Sequence, residues 1–182
     1  ELSFIARSIR GKDMILETER LYLRKLTPAD RAALCETLQD KEAMYAYEHA
    51  FSDEEADAWL ARQIARYRED GFGLWAVIRK EDGAFLGQCG ITMQDVHGER
   101  VPEIGYLLAR RYWHKGYATE AARACKQYAF ETLGLPAVYS IIRENNLPSR
   151  RVAERNGMRV VGTLVKHYYG FAMPHLVYRI EK

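Results

Sequence analysis

Cysteine is scarce in this chain: Cys35, Cys89 and Cys125 are odd in number, far apart and never spaced CxxC. That excludes a disulfide scaffold or a zinc ribbon and makes a reducing cytosol the expected compartment. Long apolar runs are missing as well. Stretches such as Leu74-Trp75-Ala76-Val77-Ile78 fall far short of the roughly 18 residues of a membrane span. Neither sign of charge dominates: 27 Lys and Arg stand against 25 Asp and Glu, a formal +2. A dedicated nucleic-acid binder would carry a strongly basic face. Repeats, low-complexity tracts and Pro/Gly/Ser linkers are absent. His49, His97, His114, His167 and His175 show no HExxH or comparable spacing, so no metal site is expected. Gly71-Phe72-Gly73 has no third glycine and precedes a strand, which excludes a dinucleotide fingerprint. Ser3 to Ile9, interrupted by Arg7, is no signal peptide.

What is present is globular: 48% apolar and 29% charged residues in a 182-residue chain, the size and composition of one domain. Residues 1–13 read as an upstream extension, and residues 14–182 as the domain. Ile15 to Lys25 alternates as one strand. Thr27-Pro28-Ala29-Asp30 opens a helix, and Ser52-Asp53-Glu54-Glu55 is a capping box before a helix that carries Trp59, Leu60, Ile64 and Tyr67. Gly73 to Lys80 and Ala84 to Gln94 form a hairpin about Glu81-Asp82-Gly83. A strand follows from Val101 to Leu108, then a helix from Tyr117 to Leu133 with a stripe of small residues that lets it sit close to a sheet. Val138 to Arg143 is a strand, Ser149 to Asn156 a short helix, and two strands end the chain. The class is α/β (α+β), a mixed sheet with helices packed on it.

The chemistry concentrates in Glu103-Ile104-Gly105-Tyr106-Leu107-Leu108 and Trp113-His114-Lys115-Gly116-Tyr117-Ala118-Thr119-Glu120-Ala121. A strand ends, a loop with one glycine follows, and a helix begins. The first turn of a helix offers unpaired N–H groups and partial positive charge, a site for phosphate. Gly116 lets backbone approach an anion, and Lys115 adds charge. The plainer alternative is a glycine that only turns the chain.

These segments, with Leu16-Glu17-Thr18-Glu19-Arg20-Leu21, Leu26-Thr27-Pro28-Ala29-Asp30, Asn146-Leu147-Pro148-Ser149 and Asn156-Gly157-Met158, resemble the GNAT superfamily of N-acetyltransferases, and most closely its ribosomal-protein N-terminal branch. The resemblance spans nearly the whole chain. It implies a mostly antiparallel sheet splayed in the middle, and transfer of acetyl from acetyl-CoA directly to a primary amine. A protein N-terminal amine is the expected acceptor, with small amines, polyamines or antibiotic amines as alternatives in the same class. Glu103 falls at the position of the general base; paired to a nearby arginine it would instead be structural. The Leu107 N–H matches the oxyanion donor, and the main chain of Leu108 and Ala109 would meet pantetheine. His114, Lys115, Gly116, Tyr117, Ala118 and Thr119 match the pyrophosphate loop, although its usual first Gln or Arg is Trp113 here. Asn146 would touch pantetheine and Ser149 the sulfur, where both could otherwise only cap a helix. The family's tyrosine acid is replaced by Ala153, which leaves Ser149 as the nearest hydroxyl for the leaving thiolate.

Cys125 and the aromatics Trp59, Tyr67, Trp75 and Tyr106 are expected in the core, one or two of the rings lining the acceptor cleft. Acceptor specificity is expected from Ser52 to Asp70, the turn at Val96 to Arg100 and the final hairpin. Two rivals stand: a non-catalytic acyl-CoA-binding module, and a nucleic-acid-associated protein with a patch of Arg110, Arg111, Lys115, Arg150 and Arg151. The pattern fits a monomer or a homodimer, without membrane or specific nucleic-acid partners.

Overall fold

The computed structural model describes residues 14–168 and 170–182; the extension expected over 1–13 lies outside them. Its eight strands form one sheet in the order β1-β2-β3-β4-β5-β6-β8-β7. They are β1 (Met14–Glu17), β2 (Leu21–Lys25), β3 (Leu74–Arg79), β4 (Phe85–Val96), β5 (Glu99–Leu108), β6 (Ala137–Arg143), β7 (Arg159–Tyr168) and β8 (Phe171–Glu181). Four α-helices complete the fold: α1 (Arg31–Leu38), α2 (Asp53–Glu69), α3 (Tyr117–Glu131) and α4 (Leu147–Arg155). Neighbouring strands are antiparallel except β5 and β6. No helix among the described residues is long and apolar enough to cross a membrane.

The expected single strand from Ile15 to Lys25 is a hairpin. Thr18 closes its turn: its N–H donates to Leu21 O at 2.8 Å and its Oγ1 accepts from Leu21 N at 3.0 Å. The chain at 28–30 makes a 3-10 turn before α1 because the Asp30 carboxylate folds back onto the Thr27 N–H and pairs with both Arg24 Nη atoms, each bond 2.8 Å. The capping box of α2 forms as expected, Ser52 Oγ accepting from Glu55 N and Glu55 Oε1 from Ser52 N.

Helix α3 lies against β4 and β5. Ala121, Ala122, Cys125 and Ala129 are buried on its inner side, and the absence of bulk there brings the helix axis near the sheet. Cys125 is a core residue beside Cys89, with sulfurs 3.7 Å apart. The opposite face buries α1 and α2, with Leu34, Leu38, Ala56 and Leu60 over Ala76 and Ile78.

Candidate active site

The sheet opens between β5 and β6. These strands share one ladder pair, Glu103 with Tyr139, whereas β4 and β5 stay in register from Val96–Glu99 to Gly87–Leu108 without a bulge. The opening is therefore not a bulge in β5 but a splay on its other edge. One carboxylate ends the pairing. Glu103 Oε2 accepts from the Ile141 N–H at 2.5 Å, and Ile104 O takes the Ser140 hydroxyl at 2.8 Å. No arginine holds Glu103, contrary to the structural alternative; its Oε1 has no hydrogen-bond partner among the described residues. Burial pushes the carboxyl up to about 7, against the pull of the Ile141 N–H and of the Lys166 and Arg66 charges.

Ladder parity decides which amides face the gap. Ala109 N donates to Leu86 O at 2.9 Å. In an antiparallel ladder hydrogen-bonded pairs alternate, so Leu107, opposite Gln88, also turns its N–H toward β4. The even-numbered residues face the other way: Leu108 O accepts from Trp113 Nε1 at 2.8 Å. The amides directed into the gap are those of Tyr106 and Leu108. This corrects two expectations at once. The Leu107 N–H is committed to the sheet, and Ala109 has its N–H on β4 and does not line the cleft.

The gap widens into a cleft of about 570 Å³. One end is the start of α3. Gly116 is its N-cap in the left-handed region, φ 80°, with no side-chain cap, so the first-turn N–H groups are left for an outside acceptor. A Cβ at Gly116 would meet Arg20 Nη2 at 3.4 Å. Arg20 braces the loop, donating to Lys115 O at 3.0 Å and to Glu120 Oε1 at 2.8 Å, while Thr18 Oγ1 donates to Glu120 Oε2 at 2.5 Å. This bracing ties the early Thr18-Glu19-Arg20 segment to the loop. His114, Gly116, Tyr117, Ala118 and Thr119 line the cleft. Lys115 does not; it is exposed and its carbonyl faces Arg20.

At the middle, Asn146 is the N-cap of α4, its Oδ1 accepting from Ser149 N at 3.3 Å and from Tyr45 Oη at 2.7 Å. Ser149 thus receives the cap instead of making it. Tyr106 Oη donates to Ser149 O at 2.5 Å, which places that ring in the cleft wall. Ala153 is buried in the core, 1% exposed.

The far end is built by residues the sequence did not single out: Tyr45 and Tyr47 from the loop between α1 and α2, Arg143 from β6, and Lys166, Tyr168 and His175 from the final hairpin. The loop is tied across the gap, Arg143 Nη1 donating to Tyr45 O at 2.7 Å. Of the three expected specificity segments, the hairpin lines the cleft; α2 and the 96–100 turn do not. Trp59 is instead bonded to Gln88 within the sheet–helix layer at 3.0 Å. Three members of the proposed phosphate patch are spent on the protein's own acids and polar groups, Arg110 on Asp40 and Glu42, Arg111 on Glu36, and Arg150 on Tyr178 and Glu144 O, whereas Arg151 lines the cleft and Lys115 is exposed.

A splayed mixed sheet with a bare helix start at one end of the gap and a raised carboxyl at the other is an acyl-CoA transferase architecture. The acetyltransferase (GNAT) domain model matches residues 20–159, and the chain belongs to that family of N-acetyltransferases, whose acyl donor is acetyl-CoA. The Bacillus subtilis protein YkkB is 38% identical over 152 residues, 83% of this chain and 88% of its own length. A GNAT-family acetyltransferase structure from Bacillus anthracis aligns at TM-score 0.78 and 28% identity, covering 91% of this chain and 97% of that one. RimL, a ribosomal L7/L12 alpha-N-protein acetyltransferase solved with coenzyme A, shares the fold at TM-score 0.73 and 16% identity, over 93% and 98% of the two chains.

Proposed function

We propose that the protein transfers acetyl from acetyl-CoA directly to a primary amine, that of a protein N-terminus, with Glu103 as general base. The observation that carries this is Glu103 itself: a carboxyl raised to about 7 on the wall of the same cleft as the bare start of α3. Such a group is balanced to take a proton from an ammonium at neutral pH. The acceptor is that of the ribosomal-protein branch whose motifs the chain shares, and of which RimL is a neighbour in fold.

The roles follow from the cleft. The first-turn N–H groups of α3 beyond Gly116 hold the pyrophosphate, and Asn146 meets the pantetheine arm. Glu103 takes the ammonium proton, the amine nitrogen attacks the thioester carbon, and the Leu108 N–H, turned into the gap, receives the oxyanion. The C–S bond then breaks, the sulfur keeps the electron pair, and the Ser149 hydroxyl steadies the thiolate. The second proton leaves the acylated nitrogen for the sulfur, and Glu103 returns its own proton to solvent. Products are the amide and coenzyme A.

Thiol release from acetyl-CoA, followed colorimetrically with peptides of free and blocked N-termini, tests the reading. Release with free amines only, and a single acetyl on the peptide amine by mass spectrometry, is expected. Acetyl-CoA binding with no release would make the chain a binding module.

Gly116→Ala tests the phosphate end. The added methyl has room beside Arg20 but sits at φ 80°, a left-handed strain of roughly 1–2 kcal/mol. The ligand-free melting temperature should fall accordingly. Calorimetry should show acetyl-CoA affinity reduced at least tenfold, about 1.4 kcal/mol. Full affinity in the folded variant would move the pyrophosphate elsewhere.

A further inference from the structure

Strand β7 is an edge strand, exposed over most of its length. Near its end the pattern alternates: Leu164, Lys166 and Tyr168 are half-buried, Val165 and His167 exposed. The two-residue period of a strand thus sets Lys166 on the covered side with Tyr168, and both line the cleft. A lysine drawn toward the interior loses hydration and needs a countercharge. Among the described residues no hydrogen bond or ion pair holds its Nζ.

None of the other charges at this end holds it by contact. Arg143 is a second cation, one nitrogen on Tyr45 O. His175 is buried with Nδ1 2.8 Å from Met173 O; facing a carbonyl, that nitrogen is the donor, and burial lowers the ring's pKa, so the imidazole is neutral near pH 7. Glu48 stands outside the lining, 3.8 Å from His49 Nδ1. Glu103 is the carboxylate whose charge acts on Lys166, and under the proposed function that charge is quenched when the carboxyl takes the acceptor's proton. Lys166 and Arg143 are then left without an anion among the described residues.

Resting on the acetyl transfer and the base role of Glu103 in that function, and not on its protein acceptor, we infer that the acceptor carries a carboxylate close to its reactive amine, and that Lys166 binds it. The carboxylate belongs either to a free amino acid or to an acidic side chain beside a peptide N-terminus. Polyamines and polycationic antibiotics would set further positive charge against Lys166 and Arg143 and are poor acceptors.

The test measures kcat/KM for two pairs: alanine against alaninamide, and Ala-Asp-Phe-amide against Ala-Asn-Phe-amide. In one pair, Lys166→Met should lower the acid-to-amide ratio about tenfold or more, the loss expected for a charged hydrogen bond. Lys166→Arg should keep the ratio near that of wild type. The pair that responds names the carboxylate's source. Amine basicity, and any change in Glu103 ionisation when the neighbouring charge is removed, act alike on wild-type and variant comparisons and cancel in the ratio. Release with all four acceptors and ratios unmoved by Lys166→Met would overturn the carboxylate assignment and leave the transferase standing. No release with any of them would overturn both.

Discussion

Glu103→Gln is expected to lower turnover roughly 10²- to 10⁴-fold, the usual contribution of a general base, while acetyl-CoA affinity is retained. The amide keeps the shape and an oxygen to receive the Ile141 N–H, so the end of the β5–β6 ladder survives. The wild-type kcat/KM should rise with pH through about 7, following ionisation of the carboxyl; the variant should lose that limb. Stability should move the opposite way. A carboxyl whose folded pKa lies above its unfolded value keeps its proton in the native state where the unfolded chain has released it. Native stability therefore falls as pH rises from about 4.5 to about 7. Gln does not ionise, so the variant should be the more stable protein at pH 8 and should show little advantage at pH 4. Urea denaturation at the two pH values measures this. An active Gln variant with an unchanged pH profile would leave Glu103 as the group that closes the ladder.

Ser149→Ala is expected to reduce turnover roughly 10- to 10³-fold, the cost of one donor to developing charge, with little change in acetyl-CoA binding. Three hydroxyls surround this part of the cleft, and two are already donating: Tyr106 to Ser149 O and Tyr45 to Asn146 Oδ1. Ser149 Oγ makes no such bond among the described residues. Because Asn146 caps α4 through the Ser149 backbone N–H, alanine leaves the cap intact, and the change in stability should stay within about 0.5 kcal/mol. Turnover and melting temperature on the same variant separate the two roles. Undiminished turnover would shift the thiolate donor to one of the tyrosines, and Tyr45→Phe would then identify it.

What could be read from the sequence followed the range of the interaction that fixes it. The capping box before α2, the hairpin at Gly83 and the small-residue stripe of α3 depend on residues a turn or two apart, and each lies where expected. The β1–β2 break was hidden because Thr18 stops the strand through its own turn bonds while the apolar alternation runs on past it. The uncapped start of α3 was legible through Gly116. The direction of the β5 amides was not: which of Leu107 and Leu108 faces the gap depends on pairing with β4, which no local pattern encodes. The far end of the cleft was least visible. Tyr45 and Tyr47 sit in an irregular loop without periodicity, and Lys166 marks itself only once the alternation of β7 is seen beside the cleft.

The single β5–β6 ladder pair also shapes how the molecule holds together. On one side stand β1 to β5, on the other β6, β8 and β7, and few backbone bonds carry cooperativity across the seam. Opening along that line would expose the cleft without breaking the ladders within either set of strands, although it would also part the shared core that joins Val138, Ile142 and Tyr178 to Ile104. A molecule lying in the gap touches both sets and is lost when they separate. Its binding free energy is therefore added to their cohesion, about 2.7 kcal/mol when it is present at 100 times its Kd. Acetyl-CoA bound as proposed would act as a removable rivet, and limited proteolysis at the seam should slow as its concentration rises.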